Sequence, residues 1–316
     1  MASLRDQLVG HEEVWESLLR LNQNSRLPTG MAFVGPHGVG KRLLAEAFVQ
    51  LALCSSQDSP CGQCGSCLRV ASGSSESLHV VEPSGEFIKV DQIHEVLKKL
   101  SLRSLSSKRF VLIDSAEKMN AQSSNALLKI LEEPPEGTHF ILITPQWSSM
   151  LPTIRSRAQS FRFFPLNPSE IIQVTGDSPS WLVNLSRGQV SEVEDWKSED
   201  LSKVMEQVEI SLEGLGRGDL EAWSGIFAVV KDRKASLKVS RLLQFFFRDL
   251  AFENSPEDQS LPFSDRLREK FSWSRNQMVT AWQKAFELEA AIASNADRTL
   301  IFQNYYFEQR SNQERI

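Results

Sequence analysis

The chain is short of basic charge, and it has neither a long hydrophobic run nor a cysteine outside one small window. Lys and Arg number 35 against 40 Asp and Glu, a net charge of −5 at pH 7. This excludes a chain that coats nucleic acid by its overall charge, and it leaves DNA contact to a local patch shared with partners. No stretch approaches the roughly 18 apolar residues of a membrane span. Met1-Ala2-Ser3-Leu4-Arg5-Asp6 has no apolar signal core, so a cytoplasmic protein without membrane contact is expected. Beyond Asn167 strand signals nearly vanish, which confines any sheet to the first half. At 316 residues the chain is too long for one ordinary core, and two or three domains are expected.

Cys54, Cys61, Cys64 and Cys67 form a C-x6-C-x2-C-x2-C array, with Pro60, Gly62 and Gly65 supplying tight turns between them. Four thiolates so spaced suit a closed tetrahedral zinc site, which is structural because no coordination position stays open. Two disulfides or four unrelated thiols are the alternatives, and a reducing compartment disfavours the first.

Gly35-Pro36-His37-Gly38-Val39-Gly40-Lys41 spells a phosphate-binding loop. It follows the apolar run Met31–Val34 and precedes a helical pattern through Leu53, the strand–loop–helix context the motif needs. Backbone N–H groups of Gly35, Gly38 and Gly40 would cradle phosphates, and Lys41 would reach the β- and γ-phosphates of ATP or ADP. A Gly-rich turn joining strand to helix is the plainer alternative. Arg42 stands where a Ser or Thr hydroxyl holds Mg²⁺ in a competent site, so the cation site is expected to be defective.

Helical spacing predicts a helix over residues 11–25, another at Val90–Leu102 and another at Ala121–Glu132. Strands are predicted at Leu78–Val81, Arg109–Asp114, His139–Thr144 and Phe161–Phe164, with Pro165 and Pro168 marking the exit. The alternation implies an α/β domain with a parallel sheet covered on both faces. Short helices are expected at 169–174 and 180–186, followed by longer amphipathic helices beyond residue 203. Phe245-Phe246-Phe247 reads as helix packing, and Glu253–Ser264 as an exposed connection.

Asp114, at the end of its strand, suits an acid that orients Mg²⁺, although a strand-end residue or helix cap is as good a reading. Ser115 stands where the water-polarising carboxylate belongs, and Glu117 is expected to point elsewhere on the next turn. Two lesions on the hydrolytic side, Arg42 and Ser115, favour a dead or feeble ATPase.

Ser124-Asn125-Ala126-Leu127-Leu128-Lys129-Ile130-Leu131-Glu132-Glu133-Pro134-Pro135 is similar to the signature helix of bacterial clamp-loader subunits. With the cysteine array nested between phosphate loop and acid strand, the chain resembles the delta-prime family of the DNA polymerase III clamp loader. The resemblance implies an AAA+ phosphate-loop domain with a zinc-binding insertion (1–166, insertion 54–67), a helical lid (167–205) and an all-helical collar domain (206–316). It implies a component of the DNA polymerase III holoenzyme with little or no ATPase of its own. Implied partners are gamma/tau and delta subunits in a hetero-pentamer, the sliding clamp, and primer-template DNA reached through the assembly. Ser156-Arg157 matches the family motif whose arginine reaches ATP on a neighbouring subunit, with Ala158 where the family has Cys; a solvated surface arginine is the alternative. Thr144 matches a strand-end sensor of the γ-phosphate. Leu185–Gln189 is similar to the stretch before the nucleotide-sensing lid arginine, yet Val190-Ser191-Glu192 follows and no arginine stands there. An ATP-hydrolysing gamma/tau-type motor is the rival reading, and a zinc-bearing DNA-binding module is a third.

Overall fold

A computed structural model describes residues 3–56, 59–101, 107–197, 201–252, 260–294 and 296–313. Its elements are, in chain order, α1 (Glu12–Gln23), β1 (Gly30–Val34), α2 (Lys41–Leu53), α3 (Gly65–Ala71), β2 (Leu78–Val81), α4 (Val90–Leu100), β3 (Arg109–Ile113) and α5 (Ala121–Glu132). There follow β4 (Thr138–Thr144), α6 (Pro152–Arg155), β5 (Ala158–Arg162), α7 (Pro168–Thr175), α8 (Ser180–Leu185) and α9 (Val190–Lys197). The remainder is helical: α10 (Leu201–Arg217), α11 (Leu220–Ser224), α12 (Arg233–Ala251), α13 (Ser264–Arg268), α14 (Arg275–Ala293) and α15 (Arg298–Gln313).

Two compact units share these elements. One comprises Met1–Val174 with Gly188–Ser191, the other Thr175–Arg187 with Glu192–Ile316. The first is built on a five-stranded sheet in the order β2-β3-β4-β1-β5, parallel at every pairing. Period-2 alternation sends successive side chains to opposite faces. Met31, Phe33, Phe110, Leu112 and Ile141 join the core under α1 and α2, while Ala32, Val111, Ile113, Phe140 and Leu142 join the one under α4 and α5. Strands buried on both sides need apolar residues at every position, which is why they read as continuous runs.

The last strand lies earlier than the sequence suggests. β5 covers Ala158–Arg162 and pairs with β1 from Gly30↔Ala158 to Val34↔Arg162, so Phe163 and Phe164 fall outside it. As an edge strand it buries only Phe161 fully. Phe163 leaves the strand to pack on His11 and Phe33, at centroid distances of 4.7 and 5.2 Å, and Phe164 is exposed.

In the second unit α12 and α14 pack against each other. Phe246 and Phe247 are fully buried, as helix packing requires, whereas Phe245 lies under the Arg248 guanidinium at 4.2 Å. Of the expected exposed connection, residues 253–259 lie outside the described residues, but Leu261, Phe263 and Ser264 are buried. The cause is Asp249, itself buried, whose carboxylate accepts from the Leu261 N–H and the Ser264 hydroxyl, both at 2.9 Å, and pairs with Arg248. Leu102, the expected end of α4, also lies outside the described residues. No helix among the described residues is long and apolar enough to cross a membrane.

Candidate nucleotide and metal site

The phosphate loop lies at the carboxyl end of β1, where ligands of open parallel sheets bind. It is anchored by the Gly35 N–H donating to Thr144 O at 3.2 Å. Any side chain at Gly35 would collide with the Phe163 carbonyl, and Gly38, at φ +68°, would strike the Ser191 hydroxyl. Val190 also donates its N–H to Gly38 O at 2.8 Å. The segment 188–191 therefore closes directly on the loop. Gly40, at φ +93°, precedes the first turn of α2.

The two cations of the motif are already engaged. Lys41 is buried and donates from Nζ to Gly35 O at 2.6 Å and to Pro36 O. Burial pulls its pKa down to about 8, against the upward pull of Asp114 and Glu117. Arg42 forms ion pairs with Glu46 at 3.0 Å, with Glu82, and with Asp114 at 3.4 Å. Asp114 is held at the end of β3 by its N–H donating to Val81 O at 2.9 Å. The acid expected to orient a divalent cation thus faces the chain's own guanidinium. Ser115 adopts a left-handed conformation at φ 54° and begins a short 3₁₀ turn, Ala116–Lys118. Glu117 lies in that turn, and its charge, after that of Asp114, works against the burial that lowers Lys41. One oxygen, Oε2, is buried and unbonded among the described residues. Thr144 is fully buried, and its hydroxyl donates to Gln146 O at 3.2 Å.

Ser156 and Arg157 occupy the turn between α6 and β5. Arg157 donates from Nη1 to Thr153 O at 3.0 Å and to the Ser156 hydroxyl at 3.2 Å, and its Nη2 pairs with Glu132 at 2.8 Å. Its side chain remains 36% exposed. Arg187, in the other unit, pairs with Glu289 at 3.2 Å and donates to Gln244.

The four cysteines converge, all Sγ atoms lying within 4.8 Å of one another. Cys54 is 3.6 Å from Cys61 and 3.9 Å from Cys64, sulfur to sulfur. These spacings fit the tetrahedron expected of Zn–S bonds of about 2.3 Å, whose edges are about 3.8 Å, and exceed a disulfide's roughly 2.05 Å. All four are free thiols, so the donor set can hold a metal ion. The Cys64 N–H points at Cys61 Sγ and the Cys67 N–H at Cys64 Sγ, at 3.4 and 3.5 Å. Backbone donation of this kind favours thiolates, and the Cys67 N–H holds Cys64 down at about 6, whereas burial pushes Cys67 up. The array is not wholly a loop, since Cys64 caps α3 and Cys67 lies within it.

A family model described as DNA polymerase III, delta subunit, matches residues 10–167, half of the chain. The chain belongs to the DNA polymerase III delta subunit family. Among relatives, it is 38% identical over 168 residues to DNA polymerase III subunit delta' of Bacillus subtilis, a match covering 50% of each chain. It is also 34% identical over 166 residues to the gamma/tau subunit of Mycobacterium bovis, covering 51% of this chain and 29% of that one. The chain spans about half the length, or less, of the curated relatives it matches. Among solved structures, a gamma subunit-related protein of Thermotoga maritima superposes with a TM-score of 0.52 at 19% identity, over 94% of this chain and 99% of that one. This likeness is one of fold: a parallel-sheet phosphate-loop domain followed by a helical region.

Four contacts of this delta-family site escape sequence reading. Glu46 was within reach of it, lying one helical turn from Arg42 in the (i, i+4) relation. Glu82, Ser191 and His11 have no such signal, because each meets the loop only through tertiary folding. The His11 ring nitrogen Nε2 stands 2.7 Å from Val39 O.

Proposed function

We propose that this chain is the delta-prime subunit of a DNA polymerase III clamp loader, an AAA+ scaffold that does not hydrolyse ATP itself. In this reading it joins gamma/tau and delta subunits in a hetero-pentamer that places the sliding clamp on primed DNA. Residues 1–166 form the phosphate-loop domain, 167–205 the lid and 206–316 the collar. Zinc is held by Cys54, Cys61, Cys64 and Cys67 as a structural ion. Arg157, steadied by Ser156, acts in trans on ATP bound to a neighbour, where a guanidinium stabilises charge developing on the transferred phosphoryl group.

One observation carries the non-hydrolysing part: Arg42 lies among Glu46, Glu82 and Asp114. A divalent cation there would have to displace a guanidinium that already neutralises its acid ligand. Ser115 supplies no base, and Lys41 is turned to the loop's own carbonyls. The similarity to gamma/tau favours a motor as the second reading, but these contacts speak against it.

Equilibrium binding of ATP to the isolated chain, with and without Mg²⁺, tests this. The wild type should show no gain in affinity from Mg²⁺. Arg42→Ser, which restores a hydroxyl and frees Asp114, should bind more tightly with Mg²⁺ by about tenfold or more, that is by about 1.4 kcal/mol or above. A wild-type chain whose ATP affinity rises as steeply with Mg²⁺ would support the motor reading.

A further inference from the structure

We propose that Glu132 is a positioning residue for Arg157, parking its guanidinium on the chain's own surface until an anion presented by a neighbouring subunit takes it over. The proposal rests on the reading of Arg157 as a residue that acts in trans. Glu132 is the last residue of α5, and Arg157 Nη2 meets its Oε1 at 2.8 Å. The Thr153 carbonyl and the Ser156 hydroxyl fix the other end of the guanidinium through Nη1.

The placement has a physical logic. Carboxylates are disfavoured at a helix C-terminus, whose partial charge is negative, yet α5 ends on Glu132 with Glu133 next, followed by Pro134 and Pro135. A cation beside Glu132 relieves that repulsion, and the prolines stop the helix there, fixing where the carboxylate stands. The pair is superficial, with Arg157 36% and Glu132 51% exposed, so an incoming anion can reach the guanidinium without unfolding anything.

Glu132 and a phosphate cannot share the guanidinium cheaply. Binding both would bring two anions together in a closing, water-poor interface, where like charges repel most strongly. The guanidinium therefore exchanges one anion for the other. Exposed ion pairs are weak, and this weakness suits a contact that must be given up in each assembly cycle. Glu132 also keeps an unassembled chain from presenting a bare guanidinium to other anions.

Glu132→Gln keeps the shape and removes the charge. In the loader reconstituted with its motor subunits, clamp and primed DNA, it should raise the rate of the hydrolytic step by about 2–5-fold, the scale of one exposed pair, with the ATP concentration for half-maximal turnover little changed. The gain should shrink at high salt and vanish in an Arg157→Ala background. In the isolated chain, Glu132→Gln should move the Arg157 side-chain ¹⁵N resonance. The proposal is overturned if Glu132→Gln depresses turnover as Arg157→Ala does, if its gain persists without Arg157, or if it changes nothing while Arg157→Ala cuts turnover. If Arg157→Ala itself leaves turnover unchanged, the trans-acting reading fails and takes this proposal with it.

Discussion

Arg157→Ala in this chain is expected to cut hydrolysis at the one neighbouring site it serves by about 10³–10⁵-fold, the range of arginine fingers supplied in trans. The effect should fall on the chemical step, because the guanidinium meets charge that develops only as the phosphoryl group transfers. Affinity of the motor subunits for ATP should change far less. The substitution should also leave the fold intact, since Arg157 lies at the surface and its side chain makes one exposed ion pair and two hydrogen bonds among the described residues. Site-resolved single-turnover hydrolysis in the reconstituted assembly checks the claim. A uniform loss at every site, or loss of assembly on gel filtration, would instead mark Arg157 as an interface residue.

The second large effect concerns the cysteines. The purified chain is expected to carry one zinc ion, released with four thiols on treatment with a strong chelator. Structural zinc contributes on the order of 10–16 kcal/mol in small thiolate modules near pH 7, so metal loss should melt α3 and the turns around it. The consequence should reach α2 and the edge of the core beneath it, where Val70 of α3 packs. Gln50 of α2 donates to Cys67 O at 2.9 Å and accepts from the Leu4 N–H at 2.9 Å, tying the insertion to the N-terminal turn. The sheet cores contain none of the four thiols. Cys64→Ser should abolish stoichiometric zinc, measured by elemental analysis, and lower the unfolding midpoint. Absence of metal from a reduced, folded wild-type chain would remove the zinc assignment.

Much of the fold was legible because its strands are buried on both faces. Leu78–Val81 and Ala121–Glu132 fall at the bounds that apolar pattern and helical period suggest, and the run Arg109–Asp114 exceeds its strand by the terminal acid alone. β5 lies earlier than the aromatic run Phe161–Phe164 suggests, because an edge strand carries little apolar signal outside its one buried position. α3 and α9 are only seven and eight residues long, too short for periodicity to separate them from loops; α3 depends on its Cys64 cap and Val70 burial. In the site, the substitutions at Arg42 and Ser115 could be read from position in a motif. The partners of Arg42 could not, because Glu82 and Asp114 come together only when β2 and β3 pair side by side.

This chain is expected to contribute to hydrolysis through Arg157 and not through its own phosphate loop. Steady-state ATP turnover by the reconstituted assembly, with Lys41→Ala placed in this chain alone, tests it most directly. The loop lysine of a working site reaches the β- and γ-phosphates, so its removal would silence a motor. Turnover equal to that of the wild-type assembly is the expected result. A fall by one site's share, with assembly unchanged, would contradict the account and make this chain a motor in its own right.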